Sequence, residues 1–235
     1  MIDLNKLFNL YYGWWKNIDK FILFLILFLF SLGLFFSLVS TSIIASDKLN
    51  TNTYYFFIKH LLFFILGVFI LITFSAIDKR RLFQISKYLF IIFFIFLALV
   101  PIIGVEVKGS ARWINLPGIP RFQPIEILKP FLIIMISIVF TFSDQKKLYF
   151  KYLFSFLLIF PVILFLISQP DIGQTILIVL TWFSLIFISG INLLFFFIFF
   201  ALTFLILIYL IIYVSKFSYI KNRLLSFIDP KSGNN

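Results

Sequence analysis

The chain has 235 residues, of which 63% are hydrophobic, 22% aromatic and only 12% charged. A soluble domain carries about 45–50% apolar and about 25% charged residues, so this composition excludes a water-soluble protein and fits a polytopic membrane protein. The net charge of +11 falls in short clusters between apolar blocks, which read as topology signals rather than a nucleic-acid surface, and with no Cys and a single His, His60, the sequence excludes disulfides, a Cys nucleophile and a His-built metal cluster.

Residues 1–20 place Leu4, Leu7, Phe8, Tyr11, Trp14 and Trp15 at helical spacing with Asp3, Lys6 and Lys16 between them. That pattern predicts a cytoplasmic interfacial helix with an aromatic belt. Beyond it, uncharged runs count the membrane spans, because a helix rising 1.5 Å per residue needs about 20 residues to cross a core of roughly 30 Å. Residues 21–46 form the first run, too long for a signal-peptide core and followed by more of the same. Residues 61–77, extended back over 54–60, give the second span, 88–105 the third and 152–170 the fifth. Residues 172–215 are uncharged throughout and too many for one crossing. The turn-forming Ser189-Gly190-Ile191-Asn192 divides them into spans six and seven, completing an all-α domain over 21–215.

The fourth span needs more than its uncharged residues, 130–143, which make only about 21 Å of helix. It has to begin near Gln123, which puts Glu126 and Lys129 three residues apart on one face at the membrane boundary. One reading is structural: Pro124 in the first helical position, Glu126 complementing the helix dipole, Lys129 snorkelling outward. The other takes an intramembrane ionisable pair as the mark of a site. The two stand level.

Orientation follows from Lys and Arg near the first helices. Lys6, Lys16, Lys20, Lys79, Arg80, Arg81 and Lys87 flank the first two spans on one side, against Lys48 and Lys59 on the other, so the N-terminus is expected in the cytoplasm. The outer side then keeps basic residues at 108–129 and 216–231, where they are disfavoured unless an anionic partner holds them.

Three segments hold the remaining polar chemistry. Residues 104–126 are expected to form an outer loop, since Gly109, Pro117, Gly118 and Pro120 interrupt any helix. On it Lys108, Arg112 and Arg121 can face one ligand, Arg offering a planar fork for phosphate oxygens, and Trp113 a ring for a sugar or the interface. Charge alone favours nonspecific headgroup binding there. In Ser168-Gln169-Pro170-Asp171-Ile172-Gly173-Gln174-Thr175, Asp171 and Gln174 have capping-box spacing, Pro170 stops one helix and Gly173 allows close packing. An N-cap explains Asp171 without invoking chemistry. Residues 216–235 carry Arg223, Asp229 and Pro230 and read as the start of a large outer loop that has been cut. No nucleotide-binding loop, catalytic triad or zinc-protease signature occurs.

KGSARWINL (108–116), FQPIEILKP (122–130), SQPDIG (168–173) and RLLSFIDP (223–230) resemble, in order and in relation to the spans, the shape, elongation, division and sporulation family typified by FtsW, RodA and SpoVE. VKGSARW and the Lys-Pro ending are more similar to its cell-division branch. Ile125 departs from the small residue usual between Pro and Glu. The resemblance implies a bacterial inner-membrane protein of about ten helices, placed at the division site. It implies a glycosyltransferase that polymerises lipid II, with undecaprenyl pyrophosphate leaving, among membrane lipids, a cognate transpeptidase and other division proteins, and no nucleic acid. No cofactor is implied with certainty, and a divalent-cation requirement is left open. Lys108, Arg112, Gln123, Glu126 and Lys129 then line or brace the substrate groove, while the family's general-base Asp is expected beyond Asn235, so that residues 1–235 alone should bind lipid-linked pyrophosphate without polymerising it. A lipid II flippase and a non-catalytic division scaffold are the alternatives.

With no native Cys, topology is directly testable: Ser110→Cys should label from outside and Lys147→Cys only from the cytoplasm. Labelling of Ser110→Cys from the cytoplasm alone reverses the orientation.

Overall fold

A computed structural model describes residues 12–41, 54–107, 110–141 and 148–214. The chain divides into two compact units, residues 1–82 and 83–235.

In the first unit, residues 12–17 are helical, and α1 (Lys20–Phe36) follows, its N-terminal amides capped by the Asp19 carboxylate at 2.9 and 3.1 Å. A π-helical turn, Ser37–Thr41, continues α1. Helix α2 (Tyr55–Ser75) packs back along α1, with Phe30 and Phe64 edge to face at 5.8 Å. Trp14 Nε1 donates to Ser75 Oγ at 2.8 Å, and Lys20 lies over the Trp15 ring, so the aromatic residues before the first span do engage polar groups at the end of α2 and the start of α1. The rest of the expected interfacial helix lies outside the described residues.

The second unit begins within α3 (Lys79–Ile103). After the small sheet described below come α4 (Pro124–Thr141), α5 (Leu148–Ser168), α6 (Ile172–Ile188) and α7 (Leu193–Tyr213). Helix α4 starts one residue after Gln123 with Pro124 first, as span length required. The break between α6 and α7 falls at residues 189–192, where Gly190 takes a positive φ of 87° and the Asn192 side chain caps α7. Helices α4, α5 and α6 pack on one another and supply most of the core, including Ile125, Leu128, Ile159, Val162 and Leu166, all fully buried. Helix α6 buries Ile172, Thr175, Ile178, Val179, Trp182, Phe183 and Ile186, a repeat of three and four that presents one stripe to its neighbours. Helix α3 joins this core through Phe93 on Phe131 and Phe94 on Phe165.

Among the described residues six helices are long and apolar enough to cross a membrane, and α6 is a shorter apolar helix of 17 residues. Many large apolar side chains on their outer faces are exposed, as expected where the surrounding solvent is lipid.

The segment expected as an outer loop carries strands, and its last residues belong to the next helix. Among its described residues lies a three-stranded antiparallel sheet, β1 (Val105–Val107), β2 (Ser110–Leu116) and β3 (Ile119–Phe122), in sequential order, while Pro124–Glu126 already belong to α4. The prolines and glycines that forbid a helix make a hairpin instead. Pro117-Gly118 sits between the paired residues Leu116 and Ile119, and Gly118 at φ 76° takes the left-handed position that a type II turn demands. Pairing lets the backbone satisfy itself without a helix. Phe122 then packs edge to face on Phe96 of α3, and Ile114 is fully buried, so the sheet is seated on the helices.

Candidate functional site

The site is built around the short turn between α5 and α6. Asp171 is the N-cap of α6, its Oδ1 accepting from the Gln174 amide at 3.4 Å, as the sequence spacing predicts. The cap accounts for only part of its role. Asp171 Oδ1 also lies 3.4 Å from Arg112 Nη1, its Oδ2 accepts from Gln123 Nε2 at 3.0 Å, and Arg112 Nη2 donates to the Pro170 carbonyl at 2.6 Å. One carboxylate thereby joins β2, the residue just before α4, and the start of α6. The Asp171 side chain is 4% exposed and that of Arg112 24%.

Burial raises the Asp171 pKa above the usual carboxylate value; Arg112, the Gln174 amide and Gln123 pull it back down, and Glu126 adds to the rise. The native pKa therefore lies above that of the unfolded chain. Ionised Asp171 costs stability above that pKa, and the cost is relieved as pH falls through it.

A second polar group adjoins the first through Gln174. Glu126 and Lys129 pair at 2.5 Å, the ion pair that the fourth span predicts. Gln174 connects to both, its Oε1 accepting from Lys129 Nζ at 3.1 Å and its Nε2 donating to Glu126 Oε1 at 2.5 Å. Its role as a bridge was missed in the sequence, where only its capping position stood out. Glu126 remains the most open member, 47% exposed, against 20% for Lys129.

Gln169 has a different function, legible in retrospect. Pro101 within α3 has no N–H to give, which frees the carbonyl four residues back, on Leu97. The buried Gln169 donates its Nε2 to that carbonyl at 3.3 Å. A proline inside an apolar helix and a glutamine two helices later together were the signal. Lys151 likewise donates to the Phe140 carbonyl near the end of α4 at 3.0 Å, satisfying a helix C-terminus while 8% exposed.

Of the residues expected to line or brace one groove, Arg112, Gln123, Glu126 and Lys129 gather, and Asp171, expected only as a cap, joins them. Trp113 is half-buried on β2 opposite Val105, and Arg121 is exposed on β3. Lys108, Arg223, Asp229 and Pro230 lie outside the described residues. Among the described residues, no three of His, Cys, Asp and Glu group as metal ligands would.

Residues 20–235 match the family model described as cell cycle protein, FtsW/RodA/SpoVE. The chain belongs to that family. A relative from Wigglesworthia glossinidia brevipalpis, named probable peptidoglycan glycosyltransferase FtsW, is 33% identical over 217 residues, covering 90% of this chain and 55% of its own. The protein of the same name from Buchnera aphidicola is 32% identical, with 90% and 52% covered. The chain thus spans about half the length of the curated relatives it matches. Among solved structures, a chain from a study titled "Structural coordination of polymerization and crosslinking by a peptidoglycan synthase complex" superposes with TM-score 0.66 at 24% identity, covering 87% of this chain and 58% of that one. The rod shape determining protein RodA of Thermus thermophilus gives 0.63 at 23%, covering 81% and 60%. These two likenesses establish a shared fold.

Arg112→Gln should destabilise the protein by roughly 2–4 kcal/mol, because it strands a buried carboxylate. Asp171→Asn should cost less, since an amide oxygen still caps α6. The double variant should cost clearly less than the sum of the two. Thermal unfolding of all four proteins in one detergent measures this, and strict additivity means that no pairing exists.

Proposed function

We propose that this chain serves glycan-strand synthesis at cell division, as a peptidoglycan glycosyltransferase polymerising lipid II in the bacterial inner membrane. The observation that carries the reading is that segments 110–116, 122–130 and 168–174, separated in sequence and each resembling a family motif, meet in one hydrogen-bonded polar cluster. Sequence relatives named for this activity support it.

In that reaction an acceptor sugar hydroxyl attacks the donor's anomeric carbon. A C–O bond forms there while the bond to pyrophosphate breaks, its electron pair leaving with the pyrophosphate, and the hydroxyl proton passes to a base. The residues of the cluster contribute position and charge. Arg112 is matched by Asp171 and Lys129 by Glu126, so these pairs brace the groove rather than lend it net charge. Arg121, exposed on β3, is the described cation of this segment turned to solvent, with Lys108 nearby in sequence. Its guanidinium fork suits two oxygens of a pyrophosphate. Neither buttressing carboxylate is available to take the acceptor proton: Asp171 holds Arg112, Gln123 and the α6 amide, and Glu126 holds Lys129 and Gln174.

The reading places the N-terminus in the cytoplasm and lets seven helices cross. Helix α6, at about 26 Å, is accommodated by local bilayer thinning or by protein around it. It also includes a crosslinking partner enzyme, since the structurally similar complex couples polymerisation with crosslinking.

Reconstituted with fluorescent lipid II, residues 1–235 should bind it, with no polymer expected from these residues alone. Arg121→Ala should weaken that binding about tenfold, the effect of losing ~1.4 kcal/mol of charge-assisted bonding, with thermal stability unchanged. Movement of lipid II between leaflets would replace the reading with a transporter, no binding would leave a scaffold, and robust polymer from residues 1–235 would relocate the base to this part of the fold.

A further inference from the structure

The first unit holds a second polar feature, independent of the reading above. Helix α2 is 21 residues long, and apart from Tyr55 its ionisable side chains are Lys59 and His60. They occupy its fifth and sixth positions, about 6–8 Å from its start at 1.5 Å per residue. Tyr54 and Tyr55 precede them, the aromatic pair expected at a membrane–water boundary. A cation and an imidazole at that depth face lipid phosphates rather than acyl chains.

Across from them α1 is cut away. A Cβ added at Gly33 would lie 3.5 Å from His60 Nε2, so the imidazole rests where α1 has no side chain. One turn later α1 widens into the π-helical turn at Ser37–Thr41, a distortion found frequently at functional positions. Between these elements is an open cleft of about 580 Å³, within the usual range for small-molecule sites of about 300–1,000 Å³. Phe36, Phe56 and Phe63 form its apolar walls, and Ser37 adds a hydroxyl beside Lys59 and His60. Among the described residues neither Lys59 nor His60 makes an ion pair.

The lining therefore has two chemistries, donors at one end and aromatic walls along the rest. Lys offers three N–H donors and full charge, and His at least one N–H in either protonation state. A free phosphate would use only the donors, whereas a lipid phosphate uses both. We propose that the cleft between α1 and α2 binds the phosphate of an anionic membrane lipid, with Lys59 and His60 on the phosphate and the three Phe rings against its chain.

The test is native mass spectrometry of the full purified protein titrated with short-chain phosphatidylglycerol, with phosphatidylcholine of the same chains, and with inorganic phosphate. Phosphatidylglycerol should bind in preference to both. Lys59→Gln should weaken it about fivefold, the worth of one basic residue near an anionic surface. Lys59→Gln with His60→Gln should erase the preference over phosphatidylcholine. Gly33→Leu keeps both donors but fills the cleft, and should also release the lipid. Monodispersity and melting temperature check that each variant folds; should the double variant fail, the three wild-type titrations still decide. Equal binding of the two lipids overturns the proposal, as does inorganic phosphate bound as tightly as phosphatidylglycerol. Loss with Gly33→Leu but not with Lys59→Gln reduces the cleft to an apolar cavity and overturns it too.

Discussion

The Asp171 carboxylate lies where 4% of its side chain meets solvent, and an isolated charge in such a place costs several kcal/mol unless donors surround it. Its donors come from three places: the guanidinium of Arg112 on β2, the amide of Gln123 just before α4, and the backbone N–H of Gln174 in α6. Satisfying one side chain therefore fixes where the sheet sits over the ends of the helices. Gln174 carries the constraint onward, because its side chain spans the Glu126–Lys129 pair on α4. Two charge pairs and two glutamines form one connected group, in which removing any member takes a partner from another.

The same logic governs the backbone in this apolar unit, where unpaired carbonyls find little water. Pro101 frees the Leu97 carbonyl and Gln169 fills the vacancy. The end of α4 needs a donor and receives Lys151. Trp182 reaches from α6 to Ser155 of α5 at 3.1 Å. Gln169, Lys151 and Trp182 are thus each matched to a particular acceptor on a neighbouring helix. Specificity of helix arrangement follows, since apolar surfaces alone would let these helices slide past one another in lipid.

Much of this was legible in the sequence because length and charge act locally. Span arithmetic located α4 to within one residue of its start, and with it the Glu126–Lys129 pair. Turn chemistry located the α6–α7 break. Other features escaped because they depend on partners far away in the chain. The Asp171 cap was visible at a spacing of three residues, whereas its links to Arg112 and Gln123 cross 59 and 48 positions. The sheet was missed for a related reason. Gly and Pro announce that a helix stops, but strand pairing needs a second strand, and β1 is only three residues long. Once the pairing is known, the Pro117-Gly118 turn explains itself.

For a family member whose relatives are named as glycan polymerases, this arrangement divides the labour between charges that hold one another and charges that face outward. Arg112 pairs with Asp171 and Lys129 with Glu126, whereas Arg121 is exposed on β3 and, in the proposed reading, meets the anion. That the motifs act as one brace is the central claim, and amide hydrogen exchange on Arg112→Gln tests it most directly. The account predicts faster exchange both in residues 110–116 and, across the contact, at the first turn of α6, Gln174 and Thr175. Acceleration confined to β2, with the α6 turn as protected as in the unmodified protein, would contradict it.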